Sequence, residues 1–393
     1  MAGAGSRVKP ITETDELARF CAECVGQPYV TVDTEFLRER TYYAQLCLVQ
    51  LARPGTGPET AVLVDTLSEK LSLEPLYDLF RDPGVVKVFH AARQDLEIFA
   101  LGAGVLPAPF FDTQVAAMVC GYGDQVSYET LARQIARASI DKSSRFTDWS
   151  RRPLSEAQMT YALADVTHLR KVYEVLSRRL EETGRGAWVK EELALLLAPE
   201  TYASDPAMAW TRLKTRSSAP RFLAAMAELA RFREEWSQTR NVPRSRVLKD
   251  DALLELAANR PRNHEDLGKA RLLLREARRG DVADGILAAI ARAEKMPAAE
   301  IPKPQEPPQR KQGAEALTDL LRVLLKARSE AEGVAQRLIA SSADLDALAA
   351  DEPGVPAMSG WRYEVFGRDA ERLRAGKIAL SARGGAVEVV ELE

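Results

Sequence analysis

The sequence lacks the features of secreted and membrane-spanning proteins. Residues 1–10 hold no apolar segment, and no stretch reaches the roughly 18 consecutive apolar residues of a membrane span. We therefore expect a cytoplasmic protein without membrane association. Cysteines are few, four in 393 residues. Cys21 and Cys24 are close, but they fall in a predicted amphipathic helix at residues 16–24, without the strand and turn of a redox motif and without nearby histidines for zinc.

The composition is that of a globular protein with an uneven charge. Hydrophobic residues make up 46% and charged residues 28%, which suffices for a sizeable core, and the length predicts two or three domains. Residues 205–295 carry 19 lysines and arginines against 13 acidic residues, a balance of +6 in a chain of net charge −3, which leaves −9 elsewhere. A basic module beside an acidic one indicates phosphate contact by the first and metal binding by the second; the alternative is a solvated, arginine-rich surface.

Apolar segments alternate with helical patterns in the first 110 residues and predict a mixed sheet with helices on its faces. Strands are expected at residues 29–36, 46–52, 61–67 and 85–90. The loop Pro-Gly-Thr-Gly-Pro at residues 54–58 favours an antiparallel meander for the first three. Helices at residues 71–80 and 95–101 make the later strands parallel.

A long helix is predicted from Ser155, where Gln158 three residues later completes a capping-box pattern. Residues 206–295 then look entirely helical, with polar breaks at residues 241–246 and 260–263. Residues 296–313 contain five prolines and form a predicted linker. The remainder begins with an amphipathic helix at 317–325 and ends in a strand-like segment at 386–392. The expected domains are 1–204, 205–296 and 314–393, with a proline-rich linker at 297–313.

Two carboxylates on the first predicted strand form a candidate metal site. Asp33 and Glu35 are two residues apart, so their side chains point to the same face of the strand. Acidic residues are uncommon in strands, and two carboxylates on a rigid strand can hold a hard cation. The alternative is a strand end turned toward solvent.

Two further candidates lie after the fourth strand. Asp95 falls where the next helix should begin, and an aspartate in a first helical turn is commonly only a cap that favours the helix dipole. His90, at the end of the strand, is open to two interpretations, a phosphate contact or a satisfied buried hydrogen bond. Neither residue is specific when taken alone.

Tyr161 and Asp165 lie four residues apart on the capped helix and therefore share a face, outside its apolar stripe. Alone, such a pair is usually structural. The combination is more specific: a strand Asp-x-Glu, a strand-to-helix aspartate and a helical Tyr-x-x-x-Asp follow one another at intervals of about 60 to 70 residues.

This combination resembles the DEDD exonucleases, a family with an RNase H-like fold, and within it the subclass with a tyrosine in its third motif. Asp33, Glu35, Asp95, Tyr161 and Asp165 match the motif residues. Over residues 8–200 the flanking segments are similar to those of the ribonuclease D group: Thr31-Val-Asp-Thr-Glu-Phe, Tyr42-Tyr-Ala-Gln-Leu, Phe111-Asp-Thr-Gln and Asp148-Trp-Ser-Arg-Arg-Pro-Leu.

The resemblance extends to the rest of the chain. Residues 210–295 are similar to the HRDC domain, a helical module that binds nucleic acids. The last 80 residues, which include Gly360-Trp-Arg-Tyr-Glu-Val-Phe-Gly, resemble a degenerate second copy. The expected fold is therefore an α/β catalytic domain, with an RNase H-like mixed sheet and flanking helices, followed by two mainly α-helical HRDC-like modules.

The resemblance implies a 3′–5′ exoribonuclease that releases 5′-mononucleotides with two divalent cations, Mg²⁺ or Mn²⁺. Asp33 would bridge both ions, Glu35 and Asp165 would complete the site that activates water, and Asp95 would serve the second ion largely through water. Tyr161 would orient the attacking water, because a tyrosine with its ordinary pKa of about 10 is a poor base at neutral pH.

Substrate contacts are expected from Phe36, which would stack on terminal bases or simply pack in the core, and from Gln45, His90 and Gln114. The implied partner is RNA at its 3′ end, in tRNA precursors or other structured RNAs, bound by a monomer. Two other functions stay open. One is a single-stranded DNA 3′–5′ exonuclease of the same fold, since metal motifs do not reveal whether a 2′-hydroxyl is required. The other is a catalytically silent RNA-binding scaffold, which the presence of all five motif residues disfavours.

Overall fold

The computed structural model describes residues 9–303 and 314–392, and within these ranges the chain builds three main hydrophobic cores. The first lies on both faces of a sheet in residues 9–204. The second joins helices between Ala209 and Ala293, and the third joins helices between Leu321 and Ile378. The α/β domain with two mainly helical modules is confirmed.

The first core surrounds a mixed sheet of five strands in the order β3-β2-β1-β4-β5. β1, β2 and β3 are antiparallel neighbours, whereas β4 and β5 run parallel to β1, as predicted. The strands are β1 (Tyr29–Leu37), β2 (Gln45–Ala52), β3 (Ala61–Val64), β4 (Val86–Phe89) and β5 (Phe110–Asp112). β3 ends earlier than predicted, because Asp65 accepts the Leu67 amide hydrogen in a turn.

Seven helices of the described residues flank this sheet, and the longest of them packs across β1, β2 and β3. They are α1 (Thr14–Cys24), α2 (Glu74–Arg81), α3 (Arg93–Ala103), α4 (Thr113–Val119), α5 (Tyr128–Leu131), α6 (Glu156–Thr183) and α7 (Gly186–Leu196). Among the described residues, no helix is both long enough and apolar enough to cross a membrane.

The start of α6 has the predicted capping box. The Ser155 hydroxyl accepts the Gln158 amide hydrogen, and the Gln158 side chain accepts the amide hydrogen of Ser155. The helix buries an apolar stripe along the sheet and ends at Gly184, whose φ of 67° is the left-handed conformation that favours glycine. The capping box at Ser155 fixes where α6 begins, and hence where the functional side chains further along the helix lie.

The thiols of Cys21 and Cys24 face the core from α1, where both residues are buried. Burial raises the pKa of each thiol to about 12. Both are therefore protonated at neutral pH, which makes them packing residues of this helix.

The second module is helical, with its two predicted breaks. Its helices are α8 (Pro220–Arg240), α9 (Arg244–Val247), α10 (Asp250–Asn259), α11 (His264–Gly268) and α12 (Gly280–Lys295). α8 packs on both α10 and α12. The breaks fall at Asn241 and Arg260, which adopt left-handed conformations with φ of 50° and 46°. The expectation of helix from residue 206 is met by a 3₁₀ helix, Pro206–Arg212, but it was wrong for residues 213–219, which are not helical before α8 begins.

The third module combines helices with a hairpin. Its elements are α13 (Ala314–Glu332), α14 (Gln336–Ile339), α15 (Ser342–Ala350), α16 (Gly360–Arg362), α17 (Arg368–Arg374), β6 (Ile378–Arg383) and β7 (Ala386–Glu391). The predicted C-terminal strand is thus one half of an antiparallel pair. Of the predicted linker, residues 304–313 lie outside the described residues.

Paired charges and stacked rings hold the third module against α7 of the catalytic domain. Trp361 stacks on Trp188 with ring centroids 4.6 Å apart. The Arg362 guanidinium forms ion pairs with Glu191 and Glu192. The amide of Ala335 donates a hydrogen bond to the Met118 carbonyl over 3.0 Å.

Arg152 fixes the segment that leads into α6. Its guanidinium donates two hydrogen bonds to Asp65, with Nε–Oδ2 2.7 Å and Nη2–Oδ1 2.6 Å. It also donates to the carbonyls of Cys47 in β2 and of Trp149, each over 2.7 Å. The Asp65 side chain is only 12% exposed. The segment before α6 is thereby bound to the edge of the sheet.

We predict that Arg152→Met lowers the free energy of unfolding by about 2 to 3 kcal/mol, because it leaves the Asp65 carboxylate largely buried without its partner. Urea denaturation measures the change. The matched control is Arg81→Met, whose ion pair with Asp78 is exposed and should contribute less than about 0.5 kcal/mol. Equal losses in the two variants would contradict a stabilising role for the Arg152 pair.

Candidate active site

The central strand β1 presents two carboxylates toward α6. In the β1–β2 register Asp33 lies opposite Gln50 and Glu35 opposite Leu48, and a β-bulge follows between Glu35 and Phe36. Bulges of this kind change the direction of a strand and are common beside active sites. The two side chains share one face because they are two residues apart.

Helix α6 brings a third carboxylate to the same point. Thr31 of β1 donates a hydrogen bond to the Val166 carbonyl over 2.9 Å, which ties α6 to the strand next to Asp165. One ligand oxygen each from Asp33, Glu35 and Asp165 lies within 4.8 Å of the others. Tyr161 lies one turn earlier on α6 and lines the same cleft as Asp165.

Asp95 enters the same cleft from the first turn of α3 but lies outside the group of three. It is 7% exposed and accepts a hydrogen bond from the Thr34 hydroxyl. It is not the capping residue of α3, since Ala92 occupies that position. The turn before α3 is held by Asp112, whose carboxylate accepts the Ala91 and Ala92 amide hydrogens over 3.1 and 2.9 Å.

The electrostatics of this cluster favour a bound cation. Burial, followed by repulsion between the carboxylates, raises the pKa of Asp33 and of Asp95 and raises that of Glu35 to about 10. Burial likewise raises the pKa of Asp165 to about 7, although the neighbouring Tyr161 hydroxyl and the charge of Arg145 act in the opposite direction. Positive charge among these groups would restore their ionised forms. A donor set made of oxygen alone fits Mg²⁺ or Mn²⁺.

The carboxylates line an open cleft of about 670 Å³. Eight of the nine residues predicted from the sequence line it: Asp33, Glu35, Phe36, His90, Asp95, Gln114, Tyr161 and Asp165. Gln45 does not, because it is an exposed residue at the beginning of β2, outside the cleft.

His90 and Gln114 have internal hydrogen-bond partners. His90 Nδ1 lies 3.0 Å from the Thr113 hydroxyl, and its ring centroid is 5.6 Å from that of Tyr128. Burial lowers the pKa of His90, so the ring is neutral at pH 7. Gln114 Nε2 donates to the Val126 carbonyl over 3.3 Å. Both side chains line the cleft as positioned neutral groups.

Sequence reasoning missed a basic and an aromatic residue on the loop before α6. Arg145 and Phe146 line the cleft, and the Arg145 guanidinium lies 5.2 Å from the Phe146 ring centre. Phe146 is 91% exposed, and the charge of Arg145 lowers the pKa values of Glu35 and Asp165. The sequence offered one indication of them. An arginine followed by a phenylalanine lies just before residues 148–154, the segment that is similar to the ribonuclease D group.

Comparison with protein families agrees with an active site in the first domain and with a helical second module. Residues 8–181 match the 3′–5′ exonuclease family, and residues 222–290 match the HRDC domain. The second match lies within the helical module predicted at residues 205–296.

Comparison with individual proteins extends over nearly the whole chain. It is 62% identical to a ribonuclease D from Jannaschia sp., over 97% of this chain and 99% of that protein. A ribonuclease D from Granulibacter bethesdensis is 50% identical, over 97% of this chain and 96% of its own length. The crystal structure of Escherichia coli RNase D superposes with a TM-score of 0.79 at 29% identity, covering 94% of this chain and 99% of that one. By sequence and by fold, this chain belongs to the ribonuclease D family.

Proposed function

We propose that this chain is a 3′–5′ exoribonuclease that uses two divalent cations and releases 5′-mononucleotides. The observation that carries the proposal is the approach of Asp33, Glu35 and Asp165 to within 4.8 Å of one another, beside Tyr161 and Asp95 in one cleft. RNA as the substrate is supported by the family and by the solved E. coli enzyme, described as an exoribonuclease involved in structured RNA processing.

The carboxylates divide into two groups that suit two cation positions. Asp33, Glu35 and Asp165 would hold the first cation, and Asp33 would also hold the second. Asp95 lies outside the close group and would serve the second cation. Two divalent cations supply the positive charge that activates a water molecule and stabilises the departing oxygen of a phosphodiester.

Tyr161 acts as a hydrogen-bond donor. Burial, together with the charges of Asp165, Glu35 and Asp33, raises the pKa of Tyr161, so its hydroxyl keeps its proton at neutral pH. A protonated phenol cannot accept a proton from water, but it can orient one. We therefore assign Tyr161 to the orientation of the attacking water.

The remaining cleft residues would hold the end of the RNA strand. Phe36 is a half-buried residue of β1 that lines the cleft next to Glu35, and it would stack on a terminal base. His90 and Gln114 would contact sugar or phosphate as neutral groups, and Arg145 would face the phosphates as a cation. Gln45, outside the cleft, would reach RNA only upstream of the terminal nucleotides.

The domains divide these tasks. We assign residues 1–204 to catalysis and the basic residues 205–296, with the HRDC match, to holding RNA. Residues 314–393 would be a degenerate second HRDC-like domain behind a linker at 297–313. All proposed ligands come from one chain, so a monomer is sufficient. Family resemblance favours tRNA precursors with 3′ extensions as natural substrates.

A time course with 5′-labelled RNA and matched single-stranded DNA tests the function. We expect RNA to shorten from its 3′ end one nucleotide at a time with Mn²⁺ or Mg²⁺, with no reaction in EDTA. A tRNA carrying a 3′ extension should be shortened in the same assay. Equal degradation of DNA would favour the DNA exonuclease, and RNA binding without any cleavage would favour the silent scaffold.

We predict that Asp33→Asn, or Glu35→Gln, reduces hydrolysis to the level seen in EDTA while RNA binding is retained, because a near-isosteric amide removes charge that the cations require. A second measurement does not depend on activity. Mn²⁺ should raise the melting temperature of the parent protein but not that of Asp33→Asn. The control is Asp148→Asn, a half-exposed carboxylate that accepts a hydrogen bond from the Ser150 hydroxyl and is not among the residues that line the cleft. Parental turnover in the Asp33 variant would contradict the metal site.

We predict that Tyr161→Phe keeps Mn²⁺ binding but lowers turnover by roughly 10² to 10⁴, the range expected when a positioned hydrogen-bonding or proton-handling group is lost. Single-turnover rates at saturating metal and RNA measure this effect. Tyr173→Phe, which changes a tyrosine of the same helix outside the cleft, is the matched control. If Tyr161→Phe instead weakened Mn²⁺ binding and kept its turnover at saturating metal, Tyr161 would belong to the support of the metal site.

A further inference from the structure

We propose that the helical second domain positions a wall of the catalytic cleft, and that Tyr42, Glu234 and Asn241 are positioning residues for the exonuclease reaction. The wall is the β1–β2 loop, residues 38–44, here called the strand loop. This inference rests on the proposed function, because the cleft it completes is the one assigned to RNA. It gives the second domain a role for substrates too short to reach that domain's own surface.

The strand loop follows the catalytic strand directly. The β1–β2 ladder ends at the pair Leu37–Gln45, so residues 38–44 have no ladder partner. Arg38 and Glu39 nevertheless line the catalytic cleft. Arg38 also borders a neighbouring cavity of about 340 Å³ that Tyr43 lines. The position of this loop therefore determines the shape of the cleft next to Asp33 and Glu35.

The loop backbone is bound by a side chain of the second domain. Asn241 Oδ1 accepts hydrogen bonds from the amides of Tyr42 and Tyr43, over 3.1 and 3.0 Å. Asn241 ends α8 with a φ of 50°, a left-handed conformation that asparagine tolerates better than most residues. One residue thus ends the helix and holds two successive amides of the loop.

The Tyr42 side chain enters a partly buried polar network. Its hydroxyl donates to Glu234 Oε1 over 2.5 Å and accepts a hydrogen bond from Arg244 Nη2 over 2.9 Å. The Arg244 guanidinium also lies 4.7 Å from the centre of the Tyr42 ring. The phenol is therefore held at its hydroxyl and across its face.

Glu234 is the centre of this network. Its side chain is 1% exposed, and it accepts hydrogen bonds from Arg244 Nε and Nη2 over 2.5 and 2.6 Å and from the Ser204 hydroxyl over 2.8 Å. Burial opposes its charge, yet the hydrogen bonds from Arg244, Tyr42 and Ser204 lower the pKa of Glu234 to about 2. A buried carboxylate with so many donors fixes the geometry of its partners.

The catalytic domain itself holds the strand loop mainly at its beginning. Arg38 forms an ion pair with Glu97 of α3, and Thr41 donates a hydrogen bond to Tyr43 within the loop. Among the described residues, the other side-chain hydrogen bonds of the loop go to the second domain. Loss of the Asn241 bonds should leave β1 and α6 in place while residues 39–43 move more freely.

The expected kinetic effect is on substrate binding. The metal-binding carboxylates lie on β1, α3 and α6, so turnover at saturating substrate should change little. The terminal nucleotides would meet a less ordered wall, so KM should rise. A merely structural defect would lower the amount of folded protein and leave the KM of the active fraction unchanged.

The test uses the full chain and a 5′-labelled RNA tetranucleotide. Asn241→Gly keeps the left-handed backbone but removes the acceptor, whereas Asn241→Asp keeps an oxygen acceptor. We expect Asn241→Gly to raise KM about 10-fold, as for the loss of one or two hydrogen bonds, with kcat within about twofold of the parent. Asn241→Asp should restore the parental KM. Tyr42→Phe should raise KM too, and the Tyr42→Phe/Asn241→Gly double variant should show less than the product of the single effects.

Glu228→Gln is the matched control, because Glu228 is a carboxylate of the same helix that pairs with Arg292 of α12. It should keep the parental KM. An unchanged KM in Asn241→Gly would overturn the proposal, and so would an equal increase in KM in Asn241→Gly and Asn241→Asp.

Amide hydrogen exchange across residues 38–44 provides a readout that needs no activity. Exchange should be faster in Asn241→Gly than in the parent or in Glu228→Gln. Unchanged exchange would overturn the positioning role even if the parent protein cleaved no RNA, whereas absence of cleavage with faster exchange would contradict only the proposed function.

Discussion

Repulsion between partly buried carboxylates in the cleft is the constraint that the surrounding structure has to withstand. Asp33, Glu35 and Asp165 are held close together although burial raises the pKa of all three, and repulsion from neighbouring carboxylates raises those of Asp33 and Glu35 further. Such a group needs a rigid frame, and the frame is the pairing of a central strand with α6. The Thr31 hydroxyl lies 3.1 Å from the Ala52 carbonyl oxygen and 2.9 Å from that of Val166, and its single proton is shared between them. One side chain therefore joins β1, β2 and α6 next to the cluster.

Much of this site followed from local rules. A period of two placed Asp33 and Glu35 on one face, the capping box fixed the start of α6, and a separation of four residues set Asp165 one turn beyond Tyr161. These rules work because backbone geometry alone determines the spacing. The short strand β5 was not predicted, because its three residues, Phe110–Asp112, are too few to show a period. Gln45 was assigned to the substrate by resemblance, but β2 begins there and leaves it outside the cleft.

Contacts between distant segments could not be predicted. Asn241 looked like a polar break between helices, and the break is real, but its side chain binds amides 198 and 199 residues earlier in the chain. Glu234 was likewise only one of the acidic residues in the basic module, and nothing in the sequence indicated that it is buried. Periodicity describes one element at a time, whereas these partners are chosen by the packing of two domains. Periodicity could not predict the position of Phe146 either, because this residue lies in an irregular loop.

The structure also changes how the positive charge of residues 205–295 is interpreted. Read along the sequence, the +6 balance of residues 205–295 describes a surface that contacts phosphates. In the structure one of its arginines, Arg244, instead pairs with the buried Glu234 and packs over the Tyr42 ring. Part of the basic module therefore joins the two domains and is not free for RNA. A domain boundary drawn near residue 204 separates two hydrophobic cores, yet it passes through a single polar network whose loop borders the catalytic cleft.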